Sequence, residues 1–369
     1  MESMIAVINL ENEQHYFNEL ASDRNGASMP FASQYRLIDF TLSNIVQSQI
    51  KDVAIFTRSK YRSLIDHLGA GEQFGLDLRK GGLFIFVPDW NHPADLSRGD
   101  LQFFYNHRDY FLKNEAEYVL IGGSQFLTTI DYRKMLEEHI QSQADITLLT
   151  TTINGHSPEC SERFRVQVDE QNWVTQMSMR KDQSCIFSGT YIINKQLLLQ
   201  LIDECVDNFC EDLFIEGIYK KMNQFRMRKY EHTETGIFIH SLESYFRHHM
   251  NLLHEPSLQK LIYSNQIICS KSAQELPTVY QSFARVKQSM VGNGCKVNGD
   301  LLNSVIFANV HIKKGARLRN CIILDDCTIG EGAYLENVIV DQGMIIEEDG
   351  TYIGAKDYPF VIATSKVIS

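Results

Sequence analysis

The stretch VGNGCKVNGDLLNSVIFANVHIKKGARLRNCIILDDCTIGEGAYLENVIV, residues 291–340, carries a repeat that is neither a strand nor a helix period. Apolar residues recur at Val291, Val297, Ile312, Leu318, Ile323, Ile329 and Leu335. Most steps are six residues, with one of five and one longer gap. Four residues after each stands a second small or apolar side chain: Cys295, Leu301, Ala316, Ile322, Cys327, Ala333 and Ile339. Gly292, Gly294, Gly315, Gly330 and Gly332 fall between them. A hexapeptide period of this kind is the mark of a parallel β-helix, in which short strands alternate with corners. The expectation is a left-handed parallel β-helix over residues 289–369. So short a stack has ends that need cover, which favours packing on another domain or subunit.

Upstream the pattern changes. Residues 254–288 have no strong period and contain Pro256 and Pro277, which reads as a linker. Residues 1–253 alternate two kinds of segment. Met4 to Leu10, Val53 to Thr57, Leu83 to Val87, Tyr118 to Ile121 and Ile146 to Thr150 are short and apolar. Ile38 to Ser48, Lys60 to Leu68, Leu101 to Lys113, Tyr132 to Ser142 and Ser241 to Leu253 have helical spacing. Such alternation predicts an α/β domain, doubly wound and Rossmann-like, around a mainly parallel sheet. Ligands in such sheets sit beyond the carboxyl ends of the strands. The loops after Leu10 and after Ile121 therefore mark the expected site.

Composition narrows the classes. The net charge is −11 over 369 residues, with no basic face to offset it, which argues against a general nucleic-acid binder and against an anionic membrane surface. No apolar stretch approaches the roughly 20 residues of a membrane span, and the first apolar run is too short for a signal-peptide core. The eight cysteines are scattered without a C-x-x-C pair, as expected of reduced thiols in a cytoplasmic protein.

The loop after Met4–Leu10 poses the functional question. A phosphate-binding strand runs into glycines, because a Cβ-free backbone lets several N–H groups close on an anion. Here the strand runs into ENEQHYFNEL, with no glycine before Gly26. Glu11, Glu13, Glu19 and Asp23 near that loop would repel a triphosphate.

A longer segment gives this a frame. PFASQYRLIDFTLSNIVQSQIKDVAIFT, residues 30–57, resembles the ADP-glucose pyrophosphorylase (glucose-1-phosphate adenylyltransferase) family, whose pattern is P-F-G-G-K-[YF]-R-[IL]-I-D-F-x-L-S-N. Tyr35, Arg36, Ile38, Asp39, Phe40, Leu42, Ser43 and Asn44 match. AEYVLIGG stands where the family has A-E-Y-V-x-x-x-x-G-D, and SGTYIIN and HSLESYF are similar to two further family segments. The resemblance implies a nucleotidyltransferase domain followed by the β-helix. It also implies a reaction joining glucose 1-phosphate to the α-phosphate of ATP. Catalysis there is positioning and charge neutralisation by backbone N–H groups, Lys or Arg, and Mg²⁺.

Set against that family, the chain lacks the working parts. The glycine-rich loop is absent. The family's lysine in R-A-K-P falls at Gly26, its metal-binding Asp at Ser124, and its second acidic metal ligand at Phe238. The E-K-P sugar motif has no match near Arg180 and Lys181. LSRGDLQF keeps only Arg98 and Gly99 of another family segment. Loss of one charge-stabilising group costs about 10²- to 10³-fold, and loss of several acting together should leave almost nothing. The pattern is similar to the D-type glycogen biosynthesis subunits of Gram-positive bacteria. That resemblance implies a non-catalytic regulatory subunit that activates a catalytic paralogue in a heterotetramer, with a homo-oligomer when alone. It implies no cofactor and no metal of its own, Mg²⁺ being held only by the catalytic partner. Two other readings stay open: a weakly active adenylyltransferase with an atypical loop, and a stand-alone sugar-phosphate sensor.

Other side chains also bear on chemistry. Arg36, Arg58 and Arg98, with Arg79-Lys80, are candidates for an anion or effector site, against the simpler reading of surface charge or ion pairs. Gln34 replaces the family's activator-linked lysine. His248, His249 and His254 lack the spacing of a zinc helix. His311 stands in the β-helix without another acyl-transfer signal. Phe103, Phe104, Tyr105, Tyr110 and Phe111 read as packing.

Overall fold

A computed structural model describes residues 3–13, 17, 20, 24–77, 81–88, 99–152, 163–180, 185–263, 267–271 and 276–363. The chain divides into two compact units, one of Met1–Gln14 with Phe40–Phe238 and the other of His15–Asp39 with Ile239–Ser369. A single boundary near residue 253 therefore gives way to a division in which an early segment joins the C-terminal unit.

In the first unit, β1 (Met4–Asn9) is buried over its first five residues. It needs apolar side chains on both faces because layers cover both. β4 (Asp52–Phe56), β5 (Gly82–Phe86) and β6 (Tyr118–Gly122) run parallel with it in the order β6-β1-β4-β5. The chain moves outward from β1 through α1 (Leu37–Gln47) to β4, then through α2 (Arg62–Leu68) to β5. It returns by α3 (Asp100–Asn106) and α4 (Arg108–Lys113) to β6, on the other side of β1. The winding reverses between β1 and β6, so the crevice at their carboxyl ends is the topological switch point.

Beyond β6 the sheet is mixed. β11 (Cys185–Asn194) lies antiparallel to β6 and to β8 (Ile146–Thr152), and β12 (Met227–His232) runs parallel to β8. The hairpin β9 (Arg165–Val168) and β10 (Val174–Ser178) extends the edge. A separate ribbon pairs β7 (Phe126–Thr128) with β13 (Gly236–Phe238). α5 (Tyr132–Ser142) and α6 (Lys195–Asp207) complete the helices. The predicted helix over 101–113 is broken at His107, whose ring stacks on Phe86 at 4.3 Å. Phe103, Phe104 and Phe111 are buried, and Phe104 meets Phe56 edge-on at 4.9 Å.

In the second unit, β2 (Pro30–Phe31) and β3 (Tyr35–Arg36) form a small hairpin against α7 (Leu242–Leu252). The Tyr245 hydroxyl donates to Pro30 O at 2.6 Å, and the Ala32 N–H donates to His249 Nε2 at 3.2 Å. Ser241 and Ser244 cap α7 reciprocally. α8 (Pro256–Tyr263) follows within the stretch read as a linker.

The solenoid has three parallel sheets. The first holds β14 (Val279–Tyr280), β17 (Lys296–Val297), β20 (His311–Ile312), β23 (Thr328–Ile329) and β26 (Ile345–Ile346). The second holds β15 (Arg285–Lys287), β18 (Asp300–Leu302), β21 (Arg317–Arg319), β24 (Tyr334–Glu336) and β27 (Thr351–Ile353). The third holds β16 (Met290–Val291), β19 (Val305–Ile306), β22 (Ile322–Ile323), β25 (Val338–Val340) and β28 (Phe360–Ile362). This is the left-handed parallel β-helix expected, and its first coil begins at Val279, before the apolar repeat. Ile312 pairs with Ile329 and Leu318 with Leu335, so equivalent side chains stack inside. At one corner Asn303, Asn320 and Asn337 adopt φ of 51°, 51° and 53°. Each donates from its amide to the next coil, at 2.6, 3.0 and 3.0 Å, the last to Gly354 O. Asn tolerates this left-handed conformation better than other side chains with a Cβ, and the ladder satisfies its amide as well.

Candidate functional site

The switch point is where sequence and topology both place a ligand. β1 ends at Asn9, whose amide donates to Asp100 Oδ2 at 2.7 Å and whose Oδ1 accepts from the Glu11 N–H at 3.1 Å. The chain then turns through a short 3-10 helix, Glu11–Glu13. This turn stands where a glycine-rich loop would cradle phosphate. Its two glutamates are not solvated: Glu11 and Glu13 are both buried.

Glu13 reaches across to the loop after β6. Its Oε1 accepts from the Ser124 N–H at 2.6 Å, and its Oε2 accepts from the Ser124 hydroxyl. A Cβ on Gly123 would stand 2.3 Å from Glu13 Oε1, so glycine is required there for the carboxylate to enter. Burial pushes the Glu13 carboxyl up to about 7, against the lowering effect of Ser124, the nearby Arg163 charge and the Gln125 backbone. Glu11 pairs with Arg58, Oε2 to Nε 2.7 Å, and burial likewise raises it to about 7 despite that charge. Asp100 accepts from the Leu213 N–H at 2.9 Å, and burial, with repulsion from Asp212, raises it to about 7. Three buried carboxyls thus converge on the crevice, which disfavours a polyphosphate there.

Ser124 and Phe238 are the positions where the family resemblance places acidic metal ligands. Counted without a gap from Ala116, the family's Gly-Asp pair falls on Ser124-Gln125, so Gln125 also bears on the comparison. Neither residue is a carboxylate. Arg163 Nη2 donates to Gln125 Oε1 at 2.7 Å, and the Arg163 guanidinium lies 4.0 Å over the Phe238 ring. A guanidinium therefore engages Gln125 and Phe238, and an amide oxygen already accepting from arginine beside a phenyl ring is a poor donor set for Mg²⁺. No group of three metal-ligating side chains occurs among the described residues. Gly26, at the family's lysine position, is buried in the turn Gly26–Ser28 of the second unit, which Asn25 caps by accepting from the Ser28 N–H at 3.0 Å.

The candidate anion-binding arginines have internal partners. Arg58 is held by Glu11 and donates to Gly99 O at 3.2 Å. Arg36, in the second unit, donates to Ser28 O at 3.0 Å. Arg98, Arg79, Lys80, Glu19, Asp23 and Lys181 lie outside the described residues. Two of the matched signature residues, Asp39 and Asn44, make hydrogen bonds that tie loops together. Asp39 accepts from the Arg36 N–H at 2.8 Å and from the Ser270 hydroxyl at 2.6 Å. Asn44 donates to Thr128 O at 2.9 Å and accepts from the Ile130 N–H at 3.1 Å. His249 is a core residue, its Nδ1 on Tyr245 O at 2.9 Å, and His311 is exposed. Sequence reasoning missed the Glu13–Ser124 contact and Arg163; the partners are 111 residues apart, and nothing local announces them.

Comparison with known proteins assigns both parts of the chain. Residues 17–255 match the nucleotidyl transferase family, and residues 273–358 match the GlmU-like C-terminal hexapeptide family. The glycogen biosynthesis protein GlgD of Bacillus subtilis (strain 168) is 32% identical over 97% of this chain and 95% of its own length. The GlgD of Geobacillus stearothermophilus is 33% identical over 85% of this chain and 82% of its own. A glucose-1-phosphate adenylyltransferase of Bacillus mycoides (strain KBAB4) is 28% identical over 88% of each. No helix among the described residues is long and apolar enough to cross a membrane.

Proposed function

The chain belongs to the glucose-1-phosphate adenylyltransferase family of nucleotidyl transferases, and on that premise we propose that it is a non-catalytic, regulatory subunit of ADP-glucose pyrophosphorylase. Its GlgD relatives support a role in glycogen biosynthesis. The observation that carries the non-catalytic reading is the Glu13–Ser124 contact at the switch point. A carboxylate stands where an incoming phosphate would need donors, and Arg163 engages Gln125, next to Ser124, and Phe238, none of which offers a carboxylate to a metal.

The reaction needs a polyphosphate gathered and its growing charge offset. This pocket brings buried carboxyls instead. The chain then acts through a catalytic paralogue, by binding that partner's active conformation more tightly than its inactive one. Mg²⁺ is the partner's, and the assembly is a heterotetramer with two chains of each kind, since closed symmetry is the common route for related chains. The site of action is the bacterial cytoplasm.

The test is the kinetics of the catalytic paralogue with and without this chain. The expected result is a higher maximal rate or a lower KM for glucose 1-phosphate or ATP, together with co-purification. Unchanged kinetics at saturating chain would overturn the proposal.

A further inference from the structure

We propose that Glu13 is a built-in ligand: its carboxylate fills an oxyanion cradle formed by Gly123 and Ser124, and its removal leaves a site that takes a free oxyanion. The inference rests on the reading of this pocket as one that does no chemistry, and it adds what the pocket holds instead.

The cradle has the parts of an oxyanion site. It lies at the carboxyl ends of β1 and β6, where an α/β sheet leaves its ligand crevice. A backbone N–H and a hydroxyl of one residue, Ser124, converge on the two oxygens of one carboxylate. Gly123 supplies the gap: any side chain there would collide with Glu13 Oε1, at 2.3 Å from the nearest Cβ position. The nearby Arg163 charge favours the ionised form of Glu13, and Arg163 itself is held by Gln125 at 2.7 Å and by the face of Phe238 at 4.0 Å. Ser124 is 1% exposed and Glu13 5%, so the pair is closed off from solvent. A surface turn of acidic residues would leave its carboxylates in water. This one drives a carboxylate inward, at the desolvation cost that its raised pKa records. Above about pH 7 the crevice thereby holds a carboxylate of the chain's own where a ligand's anion would sit, with the Arg163 charge nearby.

The experiment is thermal unfolding of the full chain at pH 8 with inorganic phosphate as the probe, comparing wild type, Glu13→Ala and Glu13→Gln. Glu13→Ala empties the cradle but leaves its donors, so phosphate should raise its melting temperature by about 3 °C near ten times Kd. Wild type should not respond, since the cradle is filled. Glu13→Gln keeps the shape without the charge and should not respond either. A folded Glu13→Ala chain that responds no more than wild type overturns the inference. Should Glu13→Ala be recovered only as aggregate, its soluble yield on refolding replaces the melting curve. Phosphate-dependent recovery supports the cradle, and recovery indifferent to phosphate overturns it. A wild-type chain that turned over ATP would defeat the non-catalytic reading whatever Glu13 does. A phosphate-blind Glu13→Ala defeats only this inference.

Discussion

The solenoid and the crevice of the sheet unit bury polar groups in opposite ways. In the solenoid a polar corner is met one coil on. In the Asn303–Asn320–Asn337 ladder one side chain is copied three times; the first two copies donate to the next asparagine and the last to Gly354 O. In the crevice nothing repeats. Glu11, Glu13 and Asp100 each find a different partner, and each is held near pH 7 by burial that the partner does not fully offset. A repeat spreads its polar cost along the stack, whereas the crevice concentrates it in one place.

The largest expected effect tests the repeating side. Leu318 is fully buried and stacks on Leu335. Leu318→Ala should cost about 2–5 kcal/mol, read as a lowered urea midpoint. A loss below about 1 kcal/mol would mean that the coils are not close-packed.

Next comes the crevice, through pH. Glu13 has a folded pKa of about 7 against an ordinary 4.5. The raised value means that its contribution is fully present below about pH 4.5 and is lost as pH rises through 7. His139 and His232, in the same unit, are lowered by burial to about 4. Their contribution is present above the ordinary histidine pKa and is lost as pH falls toward 4. The two slopes oppose each other. Glu11 and Asp100 are raised to about 7 as well, so Glu13→Gln should remove one of three falling contributions and leave stability on the order of 2 kcal/mol more favourable at pH 7, relative to pH 4.5, than in wild type. Identical pH profiles of the urea midpoint would refute burial of an ionisable Glu13.

A smaller effect belongs to the ladder. Asn320→Ala removes both its rungs and places a Cβ residue without an amide at φ 51°. The expected cost is about 1–2 kcal/mol, and Asn320→Gly, which relieves the backbone but not the lost bonds, should recover part of it. The smallest is His311→Ala, on the exposed face of β20, which should shift the midpoint by less than about 0.5 kcal/mol.

The same contrast explains what the sequence reveals. Apolar periodicity reports a side chain's neighbours when those neighbours follow a fixed interval. The coils from Val291 onward, and α5 with its helical spacing over Tyr132–Ser142, are visible for that reason. The first coil is not, because Val279, Tyr280, Arg285, Val286 and Lys287 are exposed and carry no inward repeat. The strand β11 gives an apolar run but no sign that it lies antiparallel. In the crevice, composition shows that the phosphate loop is missing and that acids stand in its place. It cannot show that Glu13 is buried, because its burial depends on Gly123 and Ser124, far along the chain. Nor can it show that Asp39 and Asn44 staple loops through the hydrogen bonds of their side chains.

The central claim is that this crevice no longer performs adenylyl transfer. The most direct measurement is pyrophosphate release by the purified chain alone, given ATP, glucose 1-phosphate and Mg²⁺. The account predicts a rate indistinguishable from buffer. Sustained release that scales with chain concentration and disappears with EDTA would contradict it.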